Sequence, residues 1–279
     1  MRSLTSRATA SILIAALAAV VLTACGDEDD PQALTFTLSG KGKAAKFTGP
    51  ESAEAGEAEI TFQNQGKADS DLQLIRVEGD RSAQEVVDGL GKAMRGQAFP
   101  EWFFAGGGVG PTPPGQSRTV TQVLEPGTYY AFDTEGSEGP PDAKSLTSVE
   151  VSGEESDEEV DADGTISAFE YGFESDGVSS DATEVVFENQ GAQPHHIVYA
   201  PLSGDSTAED VEEFFDSEKG KPPFEEKETK NTAVIEGGES QLVDLDLKPG
   251  RYVLLCFITD RQGGKSHAEK GMIGEVEVE

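Results

Sequence analysis

One set of short motifs occurs twice in this 279-residue chain, in the same order, and that duplication limits the possible folds more than any other feature. Phe62-Gln63-Asn64-Gln65-Gly66 returns as Phe187-Glu188-Asn189-Gln190-Gly191. Leu124-Glu125-Pro126-Gly127-Thr128-Tyr129 returns as Leu247-Lys248-Pro249-Gly250-Arg251-Tyr252. The two offsets, 125 and 123 residues, nearly agree, which chance explains poorly. Strand-like runs precede the first motif in each copy (58–62 and 183–187), and another follows it (72–75 and 197–199). A helical pattern comes next, over 82–94 and 207–215. The first helix opens on a capping box, Ser82 with Glu85, and the second on Ser206 or Thr207 with acids in its first turn. Pro-Gly before an aromatic predicts a tight turn feeding a strand. With 32 Gly and 14 Pro spread along the chain, the pattern is one of many short strands joined by turns, as in a β-sandwich.

Seven of the ten residues in 154–163 are acidic and show no apolar periodicity, so they read as a linker. The expected division is a signal segment over 1–24, an acidic tether over 25–33, a first domain over 34–153, the linker over 154–163 and a second domain over 164–279. The formal net charge of -32 repels phosphate backbones and argues against a nucleic-acid partner.

The N-terminus carries Arg2 and Arg7, then an apolar run over 11–22 that is too short to span a bilayer. It ends in Leu22-Thr23-Ala24-Cys25, which resembles the bacterial lipoprotein signal. The resemblance implies cleavage before Cys25, lipidation of Cys25, and a mature protein anchored on the extracytoplasmic face of the cell membrane. Two acyl chains on Cys25 suffice for stable attachment. The other cysteine, Cys256, then has no intramolecular disulfide partner in an oxidising compartment, so it is either buried and inert or bound to something.

All three histidines, His195, His196 and His267, lie in the second domain with Cys256 and Met272. His195 follows the Asn-Gln-Gly turn at the expected start of a strand, and Cys256 falls near the end of a strand expected over 252–257. His267 and Met272 follow, before a last strand over 273–278. Pro194-His195, then Pro-Gly-x-Tyr, Cys256, His267 and Gly271-Met272 resemble the cupredoxins, the blue-copper family that includes plastocyanin, azurin and auracyanin. The likeness covers about 165–279. It implies an all-β chain of two cupredoxin-like Greek-key β-sandwich domains, each with a short helical insertion. It also implies one copper ion held by His195, Cys256 and His267 with Met272 as axial ligand. A trigonal His₂Cys set with a weak axial Met suits both copper oxidation states. His196 is expected to neighbour the site, with a role as alternative ligand left open. An exposed edge of His267 is the expected exit for an electron.

One departure from the family stands out. Ten residues separate Cys256 from His267, and 258–266 contains Asp260-Arg261-Gln262-Gly263-Gly264, a turn signal that predicts a small projecting hairpin. The first domain repeats the frame without the ligands: Ser70 and Asp71 stand in place of His195 and His196, and Asp133 in place of Cys256. Its aromatic run 99–104, followed by three glycines, predicts either local core or a patch that docks on the second domain or a partner. There is no phosphate-binding glycine loop, no HExxH and no nucleophile elbow, and three histidines cannot build a multicopper cluster, so an enzyme is not expected. The leading expectation is a one-electron carrier serving an extracytoplasmic redox protein. The alternatives are a copper-delivery lipoprotein and a metal-free module that keeps only the fold.

Overall fold

The computed structural model describes residues 30–40, 45–135, 139–181, 184–217 and 219–279. The expected signal segment, Cys25 and most of the expected tether lie outside these residues. In the first half the strands are β1 (Gln32–Ser39), β2 (Lys46–Thr48), β3 (Ser52–Glu54), β4 (Gly56–Gln65), β5 (Ser70–Val77), β6 (Phe103–Thr112), β7 (Ser117–Leu124), β8 (Gly127–Phe132) and β9 (Thr147–Ser152). The helix α1 (Ala83–Ala93) sits between β5 and β6. The second half runs β10 (Thr165–Phe169), β11 (Gly172–Asp176), β12 (Val185–Asn189), β13 (Val198–Pro201), α2 (Ala208–Ser217), β14 (Lys230–Asn231), β15 (Ser240–Val243), β16 (Gly250–Leu255) and β17 (Ile273–Val278). This is the all-β architecture expected, two cupredoxin-like sandwiches each with one helical insertion. In both, the first strand lies parallel to a later one, β1 on β4 and β10 on β12.

The repeated motifs recur because each closes a local hydrogen-bond set. The Asn64 side chain donates to the carbonyls of Ala68 (2.8 Å) and Thr112 (2.7 Å) and accepts from Gly66 N–H (2.8 Å). Asn189 does the same with Gln193 (2.8 Å), Ile235 (3.2 Å) and Gly191 (3.0 Å). Both side chains are buried, and only an amide supplies two donors and an acceptor at that size. The motif tyrosines fold back four residues: Tyr129 Oη accepts from Glu125 N–H (3.1 Å), and Tyr252 Oη accepts from Lys248 N–H (3.0 Å).

Alternation along the strands builds the core. Ala58, Ile60 and Phe62 on β4 and Leu34, Phe36 and Leu38 on β1 face inward. They meet Leu72, Leu74 and Ala131 of the opposing sheet. In the second half Ile166, Ala168 and Phe187 play the same part against Ile197, Tyr199 and Leu254. Truncating a fully buried ring such as Phe62 to Ala costs about 3–5 kcal/mol.

The halves are not beads on a linker; residues 31–279 form one unit. β7 pairs with β15, so one sheet of eight strands runs through both sandwiches in the order β11-β10-β12-β15-β7-β4-β1-β2. Val120 pairs with Val243, and these lie 123 residues apart, as do the matching Leu124 and Leu247. A strand therefore pairs antiparallel with its own repeat, which places a local two-fold at the junction. A second seam joins β6 to the segment after β14: Gly107 N–H donates to the Val234 carbonyl (3.1 Å) and Glu236 N–H to the Ala105 carbonyl (3.1 Å). Close approach on two sides, to β5 within the first half and to the second half across the seam, explains the glycine run. At Gly108 (φ +132°) a β-carbon would strike the Leu72 carbonyl, and at Gly110 it would strike that of Asn231. The acidic segment 154–163 contains no strand or helix, yet it does not hang free. Glu158 accepts from Glu57 N–H (2.8 Å), and Val160 is buried.

Candidate metal centre

His195 is delivered by the Asn189 turn and fixed by two backbone bonds with Ile235, His195 N–H to the carbonyl (3.0 Å) and Ile235 N–H back (2.9 Å). It forms an isolated bridge ahead of β13 rather than opening that strand, as the sequence suggested. Cys256 likewise stands one residue beyond the end of β16, not inside it. Its carbonyl accepts from Ala268 N–H (2.7 Å), and the Ile258 carbonyl accepts from His267 N–H (2.8 Å), so the returning loop brings His267 back across the thiol. A short 3₁₀ turn at Ala268–Lys270 ends at Gly271, whose left-handed φ of +93° turns the chain into Met272. Met272 N–H donates to the His267 carbonyl (2.9 Å), and its side chain is buried in the same core as Cys256.

Three donor atoms converge. Cys256 Sγ lies 3.6 Å from His195 Nδ1 and 3.5 Å from His267 Nδ1, and the two Nδ1 atoms are 3.0 Å apart. All three residues are fully buried. A point equidistant from the three atoms lies about 2 Å from each, within the range of imidazole and thiolate bonds to first-row metals. Among the described residues, this is the one group of three or more His, Cys, Asp or Glu residues with ligand atoms this close. Burial, aided by the neighbouring His267, lowers His195 to about 4, and burial lowers His267 as well. Both imidazoles are therefore neutral at neutral pH, the form in which a histidine binds a metal. Burial pushes the Cys256 thiol up to about 12 against the pull of hydrogen bonds from the backbone at His196 and Ile258. A cation is what would favour the thiolate there.

Each outer ring nitrogen faces a carboxylate that the sequence did not single out. Asp260 Oδ1 lies 3.1 Å from His267 Nε2 and Glu170 Oε1 lies 3.8 Å from His195 Nε2. Burial alone would raise Asp260, but hydrogen bonds from Lys270 and Tyr171 outweigh it and hold the carboxyl below its usual value. Tyr171 also covers the His267 ring, with centroids 5.2 Å apart. Glu170 is fixed by the N–H groups of Ala192 (2.6 Å) and Gln193 (2.8 Å). Asp260 is placed to fix the tautomer and orientation of His267 as a ligand, whereas Glu170 lies beyond hydrogen-bond reach and leaves His195 Nε2 without a partner. Both are single acids in a chain with 53, so nothing in the sequence marked them.

The structure corrects two expectations. His267 has no exposed edge: it is fully buried behind Asp260 and Tyr171. The hairpin over 258–266 forms, with Thr259 bridged to Ser266 and a turn closed by Gly263 N–H to the Asp260 carbonyl (2.7 Å), but it does not project. It lies on the first half, where Phe99 N–H donates to the Arg261 carbonyl (2.8 Å) and Gly264 N–H to the Gly96 carbonyl (2.9 Å). The Arg261 guanidinium donates to Glu236 (2.8 Å) and the Phe103 carbonyl (2.9 Å), and stacks on Phe104 (4.7 Å). The aromatic run 99–104 is thus both things the sequence allowed: Phe103 is local core beside Val86, and Phe99 and Phe104 dock the second half. His196 stands outside the triangle. Its Nε2 accepts from Phe257 N–H (3.1 Å), as expected when adjacent extended residues face opposite ways.

No protein-family model and no curated protein matches the chain. Among solved structures it is similar to dithionite-reduced auracyanin from Roseiflexus castenholzii, at 23% identity over 41% of this chain and 94% of that one, TM-score 0.27. It is also similar to auracyanin A, a blue copper protein of Chloroflexus aurantiacus, at 16% identity over 44% of this chain and 100% of that one, TM-score 0.32. A copper nitrite reductase from Nitrosomonas europaea aligns over 89% of this chain and 93% of its own, at 14% identity and TM-score 0.23. At these scores the alignments carry no argument of their own. The strand order and the donor triangle are what the functional reading uses.

Proposed function

We propose that this protein is a membrane-anchored, extracytoplasmic copper protein that carries one electron. His195, Cys256 and His267 would hold one copper ion, with Met272 as axial ligand. The observation that carries this reading is the buried triangle of two imidazole nitrogens and one thiol, with separations of 3.0–3.6 Å. Copper bound by such a set supplies a one-electron couple with little rearrangement between its two forms. The chain's own residues do the rest. Asn189 and Ile235 fix His195, Asp260 orients the His267 ring, and the surrounding core keeps water from the sulfur. Closure on all sides also favours a carrier over a delivery protein, which must release its metal to a partner. Attachment through Cys25 and exchange with a redox protein outside the cytoplasm belong to the same proposal.

The test is a visible absorption spectrum of the purified protein after addition of Cu(II). An intense thiolate-to-copper band with one ion per chain is expected, and Cys256→Ser should remove both the band and tight binding. A folded protein with reduced Cys256 and no band would leave the metal-free module as the reading. Incorporation of labelled palmitate, lost in Cys25→Ala, checks the anchor.

A further inference from the structure

A cavity of about 440 Å³ opens between the two halves, lined on the second half by His196, Val198 and the chain from Phe257 to Thr259. That volume is in the range of small-molecule sites. Its two kinds of wall differ sharply. Phe103, Phe132, Met94 and Phe257 give it an apolar lining. Met94 and Phe257 are 51% and 42% exposed, and they are the large apolar side chains that stand most open to solvent among the described residues. Both border this one cavity.

The other wall is acidic. Asp71, Asp133 and Glu135 line it, and none of the three forms an ion pair among the described residues. Asp71 accepts from Thr134 N–H (2.6 Å) and from the Thr134 hydroxyl, and Asp133 Oδ1 accepts from the N–H groups of Asp71 and Glu135 (both 3.1 Å). Those bonds leave the negative charge uncompensated. Burial raises the Asp71 carboxyl well above its usual value, and burial, then Asp133 and Asp69, raise Glu135.

We propose that this cavity binds a small organic cation with an aromatic body. The ring would lie among the phenylalanines, and the charged nitrogen would face the three carboxylates. Aromatic faces also attract the cation directly. The proposal does not rest on the copper reading, since no atom of the donor triangle contributes to it.

Isothermal titration calorimetry of the metal-free protein in about 0.15 M salt, where long-range attraction to an acidic surface is screened, tests this directly. Tryptamine and tryptophol share an indole body, and only the first is a cation. Tryptamine should bind at one site per chain, at least about tenfold tighter than tryptophol. Asp71→Asn and Glu135→Gln should each weaken tryptamine about tenfold and leave tryptophol unchanged. Glu135 makes no side-chain hydrogen bond, so its variant keeps the test intact if Asp71→Asn fails to fold. Asp157→Asn, on the acidic segment, should change neither ligand. Equal binding of the two ligands, heat spread over many weak sites, or indifference to Glu135→Gln would overturn the proposal. A missing copper band would leave it standing.

Discussion

The two halves hold the same strand pair in the same register and use it differently. In the second half His196 Nε2 accepts from Phe257 N–H, and at the equivalent place in the first Asp71 accepts from Thr134 N–H. One position away the chemistry parts. The second half places His195 and Cys256 there, with His267 returning to face them. The first places Ser70 and Asp133, and no His or Met follows within it. Its polar groups satisfy one another through Thr134 and backbone N–H groups, while the second half turns three donor atoms on a common point. The frame therefore does not depend on a metal. The Asn and Tyr motifs maintain it in both halves, and ligands are an addition at strand ends.

The largest effect should come from cutting the tie by which the half with the donor triangle leans on the other. Arg261→Ala leaves Glu236 with a buried charge and no counter-ion, and frees the hairpin from Phe104. A loss of about 3 kcal/mol in unfolding free energy is expected, read from urea denaturation of the metal-free protein. A change below about 0.5 kcal/mol, typical of an indifferent surface site, would mean the halves stand without that contact.

A smaller effect should be confined to the metal. Asp260→Asn keeps the hairpin but weakens the carboxylate behind His267, so copper affinity should fall about 10- to 100-fold in a chelator competition, with the metal-free stability nearly unchanged. Equal affinity would show that the ring is held by Tyr171 and the backbone alone.

The last effect is spread over pH and is small across any single pH unit. Burial, with Glu125 and Glu236 adding repulsion, raises Glu239 from 4.5 to about 8. The folded state then keeps a proton that the unfolded chain gives up. Stability should fall as pH rises from about 4.5 to about 8 and level off above, with a slope of at most about 1.4 kcal/mol per pH unit from this group. Glu239→Gln should flatten that slope in denaturation curves taken across the window.

Much of this was legible in the sequence because it is local. Asn64 and Asn189 close turns within four residues, Tyr129 and Tyr252 reach back four, and Ser82 with Glu85 forms the capping box that starts α1. The order of His195, Cys256, His267 and Met272 was legible by family likeness, and the fold brings the first three together. What the sequence hid is long-range. The pairing of β7 with β15 joins edges 123 residues apart, and no periodicity says which edge meets which. The burial of His267 follows from a hairpin that finds its surface on the other half, and so could not be read from the loop alone. Asp260 gains its role only from a distance.

The pairing of Val120 with Val243 has a consequence for how such a chain can vary. Each half closes the other's open sheet edge, and an unpaired edge invites association with any available strand. A half produced alone would be a candidate for self-pairing through that same strand, in the way two identical subunits meet about a two-fold axis. Tethering the two copies in one polypeptide makes the partner permanent and always stoichiometric. It also frees each copy from having to be identical, so one can shed its ligands and become a support while the other keeps them.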